Sequence, residues 1–291
     1  MRREPGFLFL VMNRVAILGP GLLGGSLALA LRERTGAEIA VWGRRAEAVA
    51  EVAKSGFADF ASVDVRAVVE GADMVVLCTP VGVMPALAGE IAPALAPTAL
   101  VTDVGSVKAA VLSGAGAVFK QAGVNFIGSH PMAGAEVSGL EAARTGLFQG
   151  AACILTPEPD TTAAALEKVD AFWKAIGCRT ARMDATRHDE VVARISHLPH
   201  LAAVAATLAA FQPDPGMAEF AAGGLRDTTR VAAGLPVMWR EILLENRAAI
   251  LPALADLHRF TGELLEILNK ADEVKLLTVL EHAKQLRATR Y

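Results

Sequence analysis

One histidine stands where chemistry can be done. In "VNFIGSHPMAGAEVSG" (124–139) an apolar run ends in Gly-Ser-His-Pro and gives way to a loop of small residues carrying a single acid, Glu136. The run is too apolar at its start and too glycine-rich afterwards for an ordinary helix. It reads as a strand delivering His130 to a mouth, with the Gly/Ala-rich loop, Ala135 included, as the wall around a ligand. An unperturbed imidazole titrates near operating pH, so a neutral histidine hydrogen-bonded to a hydroxyl is suited to take its proton. A core histidine satisfied by backbone is the competing reading.

A second constellation lies near the start. "VAILGPGLLGGSLALAL" (15–31) carries Gly19-x-Gly21-x-x-Gly24, with Leu22 and Leu23 between the last two glycines, after a strand-like run and at the opening of a helical one. In that context the first glycine permits a tight turn, the second lets backbone approach a pyrophosphate, and the third allows close helix–strand packing. The helix N-terminus then faces the phosphates. An NAD site usually places an acid about 20 residues further on. Here "VWGRR" (41–45) offers Gly43, Arg44 and Arg45 and no acid. An arginine there can pair with a 2′-phosphate, so NADP is expected ahead of NAD; arginines that merely flank the adenine or face solvent are the alternative. His197 and His200 in "SHLPH" (196–200) are three apart and can share a helical face. No carboxylate motif accompanies them, so no metal is expected.

These groups need elements to hold them. β-branched runs occur at 14–18, 39–42, 74–78, 99–102, 124–127 and 151–156, most of them separated by stretches with helical spacing such as 22–34 and 46–54. Such alternation implies an α/β domain: a doubly wound parallel sheet with helices on both faces, closed by "RTARMD" (179–184). From about Ala185 the strands stop, and helices are expected at 188–211, 235–268 and 272–287, interrupted by "QPDPG" (212–216) and Gly223-Gly224. Long helices with broad apolar content need a partner surface. The expected division is a dinucleotide-binding domain over 13–184 and an all-α substrate and dimerisation domain over 185–291.

Composition narrows the class. Apolar residues make up 53% of 291, enough for a large core, and the net charge of −3 gives no basic footprint for nucleic acid. Three widely spaced cysteines form neither a zinc pattern nor a disulfide framework, which fits a reducing cytoplasm. The longest apolar region, 198–211, is short for a membrane span. The apolar run at 7–12 is too short for a signal peptide, so residues 1–11 are expected to be a loose extension.

Seven motifs in order, "GPGLLGGS" (19–26), "ADMVVLCTPV" (72–81), "TDVGSVK" (102–108), "GSHPMAGAEVSG" (128–139), "SHLPH" (196–200), "GGLRDTTRVA" (223–232) and "MWREILLEN" (238–246), together resemble the prephenate/arogenate dehydrogenase family. The resemblance implies a Rossmann-type domain followed by a helical dimerisation domain. It implies oxidative decarboxylation of prephenate or arogenate with hydride transfer to NAD(P)+, in tyrosine biosynthesis, by a homodimer. It casts His130 as the base, with Ser106 supporting hydroxyl and imidazole, and places His200 at the substrate and Arg230 on a substrate carboxylate, where a planar fork fits. Thr79 and Pro80, at the end of the third apolar strand, join Gly19, Gly21 and Gly24 on the cofactor. Asp227 and Arg226 either serve the substrate or line a surface turn; Glu136 either gates it or is a solvated loop acid. Trp239 and Arg240 either cross a dimer interface or pack in a core. A 3-hydroxyacid dehydrogenase is the alternative enzyme, although the "SHLPH" helix carries no lysine to act as its acid/base. A dinucleotide-sensing protein without chemistry would require neither His130 nor His200.

Overall fold

The computed structural model describes residues 12–135, 137 and 139–289. It divides into two compact units, one ending at Asn246 and one beginning at Arg247. In the first, strands and helices alternate as β1 (Arg14–Leu18), α1 (Leu22–Arg34), β2 (Glu38–Trp42), α2 (Ala46–Ser55), β3 (Phe60–Ser62), α3 (Val65–Val69), β4 (Met74–Leu77), α4 (Met84–Ile91) and β5 (Leu100–Asp103). A continuous helical stretch follows, made of α5 (Ala109–Val111), a π-helical turn (Leu112–Gly116) and α6 (Ala117–Gln121). Then come β6 (Asn125–Pro131), β7 (Ala152–Thr156), α7 (Ala163–Ala175) and β8 (Arg179–Arg182).

The eight strands form one sheet in the order β3-β2-β1-β4-β5-β6-β7-β8. The first six run parallel, and β7 pairs antiparallel with β6, His130 opposite Ile154. The sheet is thus mostly parallel, as expected, with one antiparallel pairing at β7. The chain after β6 returns alongside it, and no crossover helix occurs between the two strands among the described residues. Alternation of side chains loads both faces. Val15 and Ile17 pack with Leu27, Leu31, Phe172 and Trp173 on one side. Ala16 and Leu18 pack with Val68, Met84, Leu87 and Phe119 on the other. Burial on both faces is why these strands read as continuous apolar runs. Strand β3 has three residues, only partly covered, and left no such run.

The helices of this unit continue with α8 (Ala185–Val192), a π-helical turn (Ala193–His197), α9 (Leu198–Phe211), α10 (Gly223–Thr229) and α11 (Pro236–Glu245). Asp184 caps α8 by accepting from the Arg187 amide at 2.9 Å. Because the π turn does not break the helix, Ala185–Phe211 is continuous over 27 residues, long and apolar enough to cross a membrane by length and composition. Its buried polar side chains His188, Asp189, His197 and His200 are partnered inside the unit, with one ring nitrogen of His197 as the exception. The expected helix over 235–268 is two helices: the chain leaves helical geometry at Asn246 (φ −98°, ψ 19°), whose side chain is buried and hydrogen-bonded.

The second unit consists of α12 (Arg247–Asn269) and α13 (Glu273–Ala288), which pack against each other. Asp272 caps α13 through the Lys275 amide at 3.0 Å. Phe260, Leu265, Leu268, Val274, Leu277 and Leu280 are exposed on them.

Candidate active site

The glycine loop sits at the crevice where strand order reverses, between β1 and β4, the usual seat of a ligand in such sheets. Gly19 takes φ 120°, and a Cβ there would lie 2.6 Å from the Cys78 carbonyl oxygen; one at Gly24 would lie 2.0 Å from the Gly19 carbonyl oxygen. The fold itself demands glycine at both. At Gly21 a Cβ would meet nothing within 4 Å, so what requires glycine there approaches from outside the chain. Gly21 also caps α1 without any side-chain hydrogen bond, leaving its first-turn amides for an anion. Beside Gly19, the Thr79 hydroxyl is buried and finds no hydrogen-bond partner among the described residues. These features fit a dinucleotide, held by the loop Gly19–Gly24 with Thr79 and Pro80 alongside. Gly43 is buried beside Pro20, while Arg44 and Arg45 at the start of α2 are exposed.

His130 sits near the end of β6 and is 7% exposed. Beneath it lies a buried polar frame. Asp103, at the end of β5, accepts from the amides of Gly105 (2.7 Å) and Ser129 (2.9 Å) and forms an ion pair with Lys108. Lys108 also donates to the Ser129 carbonyl at 2.9 Å, and both charges are fully buried. The Ser129 hydroxyl meets Thr102 at 2.6 Å and accepts from the Trp173 indole at 3.0 Å. Ser129, the residue before His130, is thus fixed by bonds to β5, α7 and Lys108. The pairing also explains how a lysine lies at the bottom of an apolar sheet, since an unpaired charge there would be prohibitive.

The partner of His130 comes from α8. Its Nδ1 lies 2.9 Å from His188 Nε2, and His188 Nδ1 lies 2.7 Å from an oxygen of Asp189. Asp189 also accepts from the amides of Lys108 (2.8 Å) and Ala109 (3.0 Å). Burial pushes its carboxyl up, but the hydrogen bonds from His188 and the two amides outweigh this, and it stays below the usual range. His130 is held well below 6.5 by burial first, then by His188, Lys108 and His197. It is therefore a neutral imidazole at physiological pH. Among the described residues nothing hydrogen-bonds its Nε2. Residues 188 and 189 escaped the sequence reading, which took His188 only as a helix start. They lie 58 and 59 positions from His130, with no fixed spacing to reveal the link.

The second histidine pair is brought close by the π turn, a feature frequent at functional sites. His200 Nδ1 meets the Val231 carbonyl at 3.0 Å, and its ring stacks on Trp239 at 3.6 Å and 5°. Trp239 therefore packs on a histidine of its own chain. His197 stands edge-on to the same indole at 6.1 Å. Asn246 donates to His197 Nδ1 at 3.1 Å and to the Asp189 carbonyl at 2.9 Å. That leaves His197 Nε2 protonated, buried and unpartnered. Burial lowers His197 to about 4. No group among the described residues takes up this donor.

Arg230 is exposed and immediately precedes Val231, which bonds His200, while Asp227 and Arg226 are exposed on α10. Ser106 lies at the bend after β5 with no side-chain hydrogen bond to His130. Ala135 is half-buried on the loop after β6, and Glu136 lies outside the described residues, as do residues 1–11. No group of three or more His, Cys, Asp or Glu suited to a metal occurs among the described residues.

Comparison with known proteins agrees with this layout. Residues 27–182 match the family model for the prephenate dehydrogenase nucleotide-binding domain, and 184–282 match that for the prephenate dehydrogenase dimerization domain. The chain is 34% identical to a cyclohexadienyl dehydrogenase of Zymomonas mobilis, over 96% of each protein. Its structure resembles a prephenate dehydrogenase from A. aeolicus, solved with hydroxyphenyl propionate and NAD+ (TM-score 0.88, 30% identity, 96% of this chain and 98% of that one). It also resembles a Synechocystis arogenate dehydrogenase (TM-score 0.81, 29% identity, 96% of this chain and 100% of that one). Matched along both parts of its length, this oxidoreductase belongs to the prephenate dehydrogenase family.

Proposed function

We propose that the protein carries out the oxidative decarboxylation of prephenate, arogenate or both, in tyrosine biosynthesis, with NAD(P)+ as hydride acceptor. The observation that carries this reading is His130: a buried imidazole, anchored through Nδ1 and kept neutral, with Nε2 unengaged. A ring hydroxyl placed on Nε2 gives up its proton as the carbon bearing it loses hydride. When the ring carboxylate leaves as CO2, its bonding electrons complete the aromatic ring and the oxygen becomes a phenolate. The proton on His130 returns to that oxygen, so the imidazole borrows a proton and consumes none.

The remaining roles follow the chemistry of the side chains. Arg230 anchors a substrate carboxylate, with His200, held by Val231 and Trp239, at the same substrate. Ser106, Ala135, Glu136 and Asp227 complete the substrate's surroundings. The nicotinamide cofactor supplies the hydride acceptor when bound on Gly19–Gly24, Thr79 and Pro80. NADP is favoured over NAD because Gly43 stands where an acid would bind the ribose, and Arg44 and Arg45 follow it. The domain division falls near 184/185, and the exposed apolar side chains of α12 and α13 support a homodimer. The cytoplasm is the expected compartment. Incubating the purified chain with prephenate or arogenate, and NADP+ or NAD+, tests the whole reading at 340 nm. Absorbance should rise with CO2 release; no rise with any of the four pairs rejects it.

A further inference from the structure

We infer that His188 and Asp189 are positioning residues that fix the tautomer of His130, so that its Nε2 is the lone pair offered to the substrate. This deepens the proposed function and rests on His130 being its base.

The argument runs outward from the carboxylate. An ionised carboxylate only accepts hydrogen bonds. Asp189 is held in that form by the Lys108 and Ala109 amides and by His188. The proton in the 2.7 Å contact therefore sits on His188 Nδ1. With its ring proton on Nδ1, His188 offers an acceptor at Nε2, so the 2.9 Å contact is a bond from His130 Nδ1–H. That fixes His130 as the Nδ1–H tautomer and leaves Nε2 as its acceptor. When Nε2 takes a proton, His188 is already aligned to stabilise the imidazolium through Nδ1–H, with the Asp189 charge behind it. This is the logic by which a carboxylate orients a catalytic histidine, extended here by one imidazole. His188 is fully buried and Asp189 nearly so, which keeps competing water away from both bonds. The other groups acting on His130 are Lys108, from the turn between β5 and α5, and His197, from the π turn.

Two variants and one spectrum test this in the full-length enzyme. His188→Gln keeps an acceptor toward His130 and a donor toward Asp189; His188→Leu keeps neither. Turnover should drop of order 100-fold in His188→Leu, the low end of what a positioned proton acceptor contributes. It should stay within about tenfold of the parent in His188→Gln, with KM for substrate and cofactor little changed in both. Equal turnover in the two variants, or a change confined to KM, overturns the assignment. Imidazole 15N shifts of the parent enzyme judge the tautomer without any variant, and six histidines leave the spectrum assignable. His130 should carry its proton on Nδ1; an Nε2–H tautomer, or a doubly protonated His188, overturns the inference. The control His130→Asn separates the two levels. If that variant turns over normally the base lies elsewhere, whereas a dead His130→Asn beside a fully active His188→Leu removes only the relay.

Discussion

At the scale of single residues, burial and neighbouring charge decide what His130 can do. Its folded pKa lies below the unperturbed value because burial, His188, Lys108 and His197 all disfavour the imidazolium. A base works only when unprotonated, so activity should persist as the pH is lowered past 6.5, the acid limb of kcat/KM appearing only below that value. His130→Asn keeps a hydrogen bond but cannot take a proton. Its turnover should fall about 100- to 10,000-fold, with cofactor affinity unchanged; steady-state kinetics across pH check both statements. A second residue-scale expectation concerns Arg44. An arginine pairs with a 2′-phosphate that only NADP+ carries, so Arg44→Ala should raise KM for NADP+ more than for NAD+. A parent enzyme with the lower KM for NAD+ would remove Arg44 from that role.

At the scale of elements, the site is held by ties between strands and helices. β5 and β6 are pinned by Asp103, Lys108, Ser129 and Thr102, while α8 is tied to the start of α5 by Asp189. Lys108→Met would strand the buried Asp103 carboxylate, and losing one partner of such a pair costs about 3–5 kcal/mol. It would also remove a positive charge that depresses His130, so the acid limb of kcat/KM should move to higher pH. Denaturant unfolding measures the first effect and the pH–rate profile the second. A variant as stable as the parent would show that the pair is compensated elsewhere. The π turn at Ala193–His197 matters at this scale too, since it resets the helical phase between His188 on α8 and His200 on α9.

At the scale of the whole molecule, two consequences are measurable. The buried histidines make stability depend on pH. His197 has a folded value of about 4 against 6.5 unfolded, so below 6.5 the unfolded chain binds more protons than the folded one. Stability should be full above pH 6.5 and decline as pH falls toward 4, by about 3 kcal/mol from this group alone. Thermal melts at several pH values read the slope; a flat response above pH 4 would show that His197 is not held neutral. The second consequence is association. The exposed apolar side chains of α12 and α13, Phe260, Leu265, Leu277 and Leu280 among them, exceed what a solvated helix pair needs. Sedimentation should find a dimer, and a charge at Leu277, as in Leu277→Glu, should shift it toward monomer.

The sequence by itself determined the alternation of strands and helices, the glycine crevice and the placing of His130 on a strand. Each is written in local periodicity or short spacing, and strands buried on both faces leave continuous apolar runs that cannot be mistaken for solvated segments. Local signals also carried α13, whose start Asp272 caps, and they lost what was short or interrupted: β3, the short helix α10 that begins at Gly223 where an interruption was expected, and the break at Asn246. The tertiary structure alone decided the antiparallel course of β7, the burial of Lys108 on Asp103, the stacking of Trp239 on His200, and the line from Asp189 through His188 to His130. The link from His188 to His130 spans 58 positions, and even Lys108 and Asp103, five apart, are brought together only by the turn after β5. Nothing in chain spacing encodes them, because they exist only where separate elements, such as the end of β6, the turn after β5 and α8, meet in space, and a contact is set by that meeting rather than by sequence distance.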